Sequence, residues 1–343
     1  MANDTETIDV ASLEALCAGA LEAAGARPED AAACVKILTD AELMGISTHG
    51  AVRVPDYARR LRAGGIDASA VPKLEQRAPS LALVDGANAV GPVVGLRALE
   101  AGLEMARETG IAYVGCRASN HFGAIAPYGR ISCEAGFVML AGTNASTTMP
   151  PWGGKALRLG NNPFCVAAPG AGGAHFILDM AMSVAARGKI RAAVKAGRPI
   201  PEGWAADKDG RPTTDPAAAL AGFLLPFGAH KGSGLSMAVD VLSGVLSGAR
   251  FLTDVVTWVD NATEPQGTGH FFVLIDPARL AGREAYAAAM ARFRELIKQT
   301  PAADPSEPVL LPGERELARR ARALAHGLEL PSALLEELRA AQR

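Results

Sequence analysis

Along residues 9–65 the apolar side chains recur every three or four positions, the period of amphipathic helices. Leu13, Leu16 and Leu21 follow Asp9, a good N-cap residue. Pro28-Glu29-Asp30 opens a second run through Val35, Leu38 and Leu43, which Gly45 can end. A third helix is expected from Ala51 to about Ala63, stopped by Gly64-Gly65. Beyond Pro72 the period changes. Leu81–Asp85, Ile111–Gly115, Phe137–Leu140, Phe164–Ala168, Phe176–Met180 and Phe271–Ile275 read as strands. Helical patterns near 94–109, 125–134, 184–196 and 232–246 alternate with them. Residues 197–221 read as a long ordered loop, and three helices near 280–299, 314–325 and 332–341 close the chain.

This alternation predicts an α/β protein built as a layered domain, preceded by an N-terminal helical domain. The expected division is a helical region at 1–70, an α/β cofactor-binding domain at 71–299, and C-terminal helices at 300–343 packing back on the first unit.

Composition narrows the function. Charged residues make up 20% and aromatics 5%, with a formal charge of −2, so neither a nucleic-acid nor a membrane partner is expected. The start, Met1–Asp9, is polar and acidic, unlike a signal peptide, and no apolar run approaches the ~18 residues of a membrane span. The five cysteines are scattered without any C-x-x-C pair, which reads as reduced thiols in a cytoplasmic protein.

The most informative segment is Ser47-Thr48-His49-Gly50-Ala51-Val52-Arg53. With a helix from Ala51, His49 would stand at its N-terminus and Arg53 one turn along the same face. A guanidinium holds a carboxylate and an imidazole moves a proton at the neighbouring carbon, so the pair suits a small carboxylate substrate. Thr48, Thr143 and Asn144 are further candidate substrate ligands, and His121, in Ser119-Asn120-His121-Phe122-Gly123, is a second candidate acid–base. Each has a plain alternative: His49 as a cap, His121 as a structural imidazole, Thr143-Asn144 as turn residues. Metal binding is not expected, because no H-x-x-x-H or C-x-x-C spacing accompanies these histidines. Neither G-x-G-x-x-G after a strand nor a Walker loop occurs. Pro226–Gly234 sets Lys231 among glycines at a helix start, a plausible phosphate seat.

Taken in order, Gly45-Ile46-Ser47-Thr48-His49-Gly50, Asn120-His121-Phe122-Gly123, Pro151-Trp152-Gly153-Gly154, Gly160-Asn161-Asn162-Pro163, Leu178-Asp179-Met180-Ala181, Ala186-Arg187-Gly188-Lys189, Pro212–Pro216, His230-Lys231-Gly232, Gly269–Phe272 and Leu311-Pro312-Gly313 resemble the malate/L-lactate dehydrogenase type 2 family over nearly the whole chain. The resemblance implies a non-Rossmann, mixed-sheet oxidoreductase that uses NAD or NADP. It implies a homodimer with active sites near the subunit boundary. Hydride would pass between the cofactor and C2 of a small 2-oxo or 2-hydroxy acid. Reduction of Δ1-piperideine- or Δ1-pyrroline-2-carboxylate is the alternative, and a non-catalytic binding protein on the same fold is a further one. His49 would be the proton donor, His121 the base assigned in some members, and Arg53 the carboxylate anchor. Cofactor contacts would fall on His175, Phe176, Ile177, Leu178, Asp179, Met180 and Ala181, on His230 and Lys231, and on Gly313, Glu314 and Arg315. Three departures stand out. Thr48 replaces the Ser common before the histidine, G-T-N-P becomes Gly160-Asn161-Asn162-Pro163, and Ala145 takes the place of a cofactor-contacting Ser.

Overall fold

The computed structural model describes residues 4–342. A short strand, β1 (Thr5–Ile8), leads into α1 (Val10–Glu22), α2 (Pro28–Leu43) and α3 (Val54–Ala63). Asp9 caps α1 by accepting from Ser12 N at 2.9 Å, Pro28 opens α2, and Gly64 ends α3 with φ 81°. The third helix differs from expectation at its start. Two 3-10 turns, Ser47–His49 and Ala51–Arg53, precede it on either side of Gly50. Pro55 has no N–H to give the Ala51 carbonyl and its ring would clash there, so regular α winding begins only at Val54. His49 therefore sits in a tight turn, not at an α-helix N-terminus.

The centre of the chain runs β2 (Lys73–Ala78), β3 (Leu81–Asp85), α4 (Gly91–Thr109), β4 (Ile111–Ser119), α5 (Ala126–Glu134), β5 (Val138–Thr143), β6 (Phe164–Ala168) and β7 (Phe176–Met180). Then come α6 (Arg187–Lys195), β8 (Ala205–Ala206), β9 (Pro212–Thr213), α7 (Pro216–Ala221), β10 (Phe223–Leu224), α8 (His230–Asp240) and β11 (Thr268–Ile275). The seven-stranded sheet has the order β2-β3-β4-β11-β5-β6-β7. Only β3 and β4 pair in parallel, joined through α4; every other neighbouring pair is antiparallel. A doubly wound sheet is thereby excluded, and β7 is an edge strand. The chain closes with α9 (Pro277–Ala281), α10 (Arg283–Lys298), α11 (Glu314–His326), β12 (Leu328–Pro331) and α12 (Ser332–Ala341).

One apolar core lies between the sheet and α4 and α5, where Val94, Leu99 and Tyr128 meet Val114, Met139 and Phe272. A second gathers Leu13, Leu38, Tyr57 and Leu61 with Trp258, Leu335 and Leu338, so α12 packs on the N-terminal helices, and β12 pairs with β1. The expected loop at 197–221 contains the small sheet β10-β8-β9 and α7. The helix expected over 184–196 starts only at Arg187, and the one expected from 232 starts at His230 and loosens into a π turn over Val241–Val245.

Candidate active site

The turn at Ser47–His49 places its imidazole against His121, which leaves the end of β4. The two rings stack with centroids 5.5 Å apart and planes 17° apart. Thr48 Oγ1 lies 3.0 Å from His49 Nδ1, so Nε2 is the nitrogen left for exchange with a ligand. Arg53 folds back on the same turn. Its Nε donates to Thr48 O at 2.7 Å and its Nη1 to Asp56 Oδ2 at 3.1 Å. Nη2 is left without a partner among the described residues, which allows an end-on bond to a carboxylate. Burial, reinforced by the Arg53 charge, lowers His49 to about 4. The imidazole is therefore neutral near pH 7. His121 is also held well below its usual range, by burial first, then by His49, Arg53 and His270.

His121 is fixed on three sides by residues that the pattern of the sequence did not single out. Tyr57 Oη lies 2.8 Å from its Nδ1 and donates to its carbonyl at 2.7 Å. Gln266 Oε1 accepts from its backbone N–H at 2.7 Å. Trp258 packs with its ring centroid 5.0 Å from His121 and 4.8 Å from Tyr57. One signal for Tyr57 was available: it follows Arg53 by one helical turn. Trp258 and Gln266 come from a distant loop and carried no local signal.

His49 and Thr48 border a cavity of about 670 Å³. Its opposite wall is β7 from Ile177 to Ala181, with Pro312, Gly313 and Arg315 at the start of α11. Ile177 N donates outward to Pro312 O at 3.0 Å. Alternate residues of a strand share an edge, so Asp179 turns its main-chain N–H and C=O to that same unpaired side. The Asp179 side chain accepts from Ile125 N at 2.9 Å and Ala126 N at 2.8 Å, at the start of α5. Burial pushes its carboxyl up to about 6 against the pull of those two donors. A cavity in the size range of small-molecule sites, with a free strand edge to meet an amide and apolar walls to meet a ring, fits a nicotinamide cofactor.

Other expected ligands lie elsewhere. Thr143 and Asn144 are buried. The Thr143 hydroxyl donates to Gly269 O at 2.9 Å and lies 2.7 Å from His270 Nδ1. Asn144 Nδ2 donates to Asp240 Oδ1 at 3.0 Å and Arg250 O at 2.7 Å, and Asn144 Oδ1 accepts from Gly269 N at 2.9 Å. Their polar groups are thus committed inside the fold, and neither borders the cavity. His230 and Lys231 are exposed at the start of α8, also off the cavity wall. Phe176 lies on β7 before the stretch that borders the cavity, and His175 and Glu314 line a smaller adjoining pocket. Among the described residues, no three His, Cys, Asp or Glu side chains gather as a metal site, and no helix is long and apolar enough to cross a membrane.

A family model described as malate/L-lactate dehydrogenase matches residues 8–339. The chain belongs to that family. It is 38% identical over 335 residues to a (2R)-3-sulfolactate dehydrogenase (NADP(+)) of Chromohalobacter salexigens, covering 97% of each chain. It is 37% identical over 338 residues to a Delta(1)-pyrroline-2-carboxylate reductase of Ancylobacter novellus, covering 97% of this chain and 96% of that one. Among solved structures, the sulfolactate dehydrogenase of Methanocaldococcus jannaschii superposes with a TM-score of 0.91 at 34% identity, over 98% of this chain and 96% of that one.

Proposed function

We propose that this protein is an NAD(P)-dependent oxidoreductase that interconverts a small 2-hydroxy acid and its 2-oxo acid. The observation that carries the reading is the stacked His49–His121 pair beside Arg53, at one end of a cavity bordered by the free edge of β7. When bound, the nicotinamide supplies or accepts hydride at the substrate C2. Arg53 holds the substrate carboxylate through Nη2. His49, neutral near pH 7, takes the hydroxyl proton in oxidation; in reduction the imidazole takes a proton from solvent and passes it to the developing alkoxide. His121 buttresses His49 through the ring stack, and Tyr57 and Gln266 hold it in place. Ile177, Leu178, Asp179, Met180, Ala181, Gly313 and Arg315 are the groups that would hold the cofactor.

Within this reading the helical unit 1–70, with the 300–343 segment packed on it, supplies the acid–base group, and the α/β unit 71–299 supplies the strand edge. The reading includes a homodimer. Support comes from α8, its π turn and the residue after it, where Leu235, Met237, Val241, Val245 and Leu246 are exposed. His230 and Lys231 begin that same helix, so a partner subunit would lie close to them. A cytoplasmic location agrees with five free, buried thiols. The test is oxidation of NADH and NADPH with a panel of pyruvate, oxaloacetate, a sulfonated 2-oxo acid and Δ1-piperideine-2-carboxylate. Turnover of a 2-oxo acid supports the reading. Turnover of the cyclic imine alone, or of none, overturns it.

A further inference from the structure

Beside the main cavity, the segment that leads into β7 lines a second pocket of about 180 Å³, and Glu314, next to Gly313 of the first, lines it from α11. Its walls include His175, Arg294, Lys298 and Glu314. The two pockets follow one strand in sequence: Ile177–Ala181 border the first and His175 the second. They differ in chemistry. The first offers mainly apolar surface and a backbone edge. The second gathers two cations against one carboxylate. Arg294 Nη2 lies 2.5 Å from Glu314 Oε1, and Lys298 Nζ lies 2.9 Å from Glu314 Oε2 and donates to Val309 O at 2.7 Å.

These contacts hold both cations in place without exhausting them. A guanidinium has five N–H donors and an ammonium three, so each retains donors. The third donor is His175. Gly170 N donates to its Nδ1 at 3.1 Å, so a neutral ring carries its proton on Nε2, which has no partner among the described residues. His175 itself is buried. A site with two cations, one neutral N–H donor and a single carboxylate has a net positive charge. It matches a compact dianion better than a ribose hydroxyl, for which a lone acceptor is the better partner.

We propose that His175, Arg294 and Lys298 form a phosphate-binding subsite at the far end of the cofactor groove, which receives the ribose 2′-phosphate and makes this protein selective for NADPH. The inference rests on the cofactor reading above. Arg294 and Lys298 side chains are partly exposed, and replacing them with glutamine keeps part of each methylene stem and a polar end while removing the charge.

The test is equilibrium binding by the full chain, followed by quenching of protein fluorescence, with NADPH, NADH, adenosine 2′,5′-bisphosphate, adenosine 5′-monophosphate and inorganic phosphate as probes. NADPH should bind at least about tenfold more tightly than NADH, from two charge-assisted contacts. Arg294→Gln with Lys298→Gln should erase that ratio while leaving the NADH Kd within about twofold, which also shows that the variant is folded. Adenosine 2′,5′-bisphosphate should compete with NADPH, and adenosine 5′-monophosphate should compete much less. Equal Kd values for the two cofactors, a preference for NADH, or a ratio that the double variant leaves intact would overturn the subsite while keeping the dehydrogenase reading. Binding of inorganic phosphate alone, lost in the double variant but without any effect on the cofactor ratio, would identify a free anion site and also overturn it. Failure of both NADH and NADPH to bind would overturn both proposals.

Discussion

Arg60 links the stability of the fold to the geometry of the site. It is fully buried on α3, and no carboxylate pairs with it among the described residues. Its guanidinium donates instead to carbonyls: Trp258 O at 3.4 Å, Gly65 O at 3.4 Å, Glu264 O at 2.5 Å, and Asn261 O. It also lies 4.9 Å from the centroid of the Trp258 ring. Apart from Gly65, the residues it grips belong to the loop whose Trp258 and Gln266 support His121. Arg60→Met keeps most of the stem and removes every one of those donors. A hydrogen bond to a charged group contributes about 1.5–3 kcal/mol, so the gross loss is large. Relief of a buried, unpaired cation offsets much of it, because burial already disfavours the charged form here. The Asn261 and Glu264 contacts are only part-buried, so water can replace them. The net cost is about 2–4 kcal/mol, or roughly 3–6 °C in Tm for a chain of this size. Loosening of the loop displaces His121, and a shift of about 1 Å at a reacting group costs on the order of 100-fold in rate. Thermal unfolding and steady-state kinetics should therefore show a lower Tm and a kcat down about 10- to 100-fold, with substrate KM changed little. A variant with wild-type Tm and kcat would refute this account of the loop.

Three further outcomes follow from the same geometry. Arg53→Lys substitutes a point charge for a guanidinium already tied to Thr48 and Asp56, and should raise substrate KM about tenfold or more with a smaller effect on kcat; an unchanged KM would remove Arg53 as the anchor. Gly91 approaches the site so closely that a Cβ would lie 2.1 Å from His121 O and 2.4 Å from Asn120 O, so Gly91→Ala should push His121 aside and reduce turnover more than cofactor binding; wild-type turnover would show that His121 placement is not critical. For hydroxy-acid oxidation, kcat/KM should keep its imidazole limb near pH 4, because a group with a depressed pKa stays an active base until pH falls through that value, while any inflection near 6 should belong to Asp179 and vanish in Asp179→Asn. An inflection near 6.5 that persists in Asp179→Asn and disappears in His49→Gln would contradict the half-buried, neutral imidazole.

Much of the fold was legible in the chain because burial imposes a period. β3, β6 and β7 occupy the spans that their apolar residues predict, and Asp9, Pro28, Gly45 and Gly64 mark the helix ends they suggest. β2 escaped notice because Lys73-Leu74-Glu75-Gln76-Arg77-Ala78 is a largely exposed edge strand, and its polar side chains carry no core-facing alternation. β1 and β12 lie at opposite ends of the chain and pair only through tertiary contact. At the site, residue types pointed to His49, His121 and Arg53, whose reactive groups are local to short motifs. Local motifs could not reveal Trp258 and Gln266, which support His121 from a distant loop, and they did not mark Asp56 and Tyr57, although both lie within about a turn of Arg53. They also could not show that Thr143 and Asn144, polar residues at a strand end, spend their hydrogen bonds inside the fold.

The claim on which the account depends is that the His49 imidazole moves the proton at the substrate C2 oxygen. Its most direct measurement is turnover of the best 2-oxo acid by His49→Ala, with the Kd of the reduced cofactor determined on the same preparation. The account predicts a kcat lower by about 10²–10⁴-fold with cofactor affinity unchanged. Turnover within a few-fold of the unsubstituted protein would contradict it.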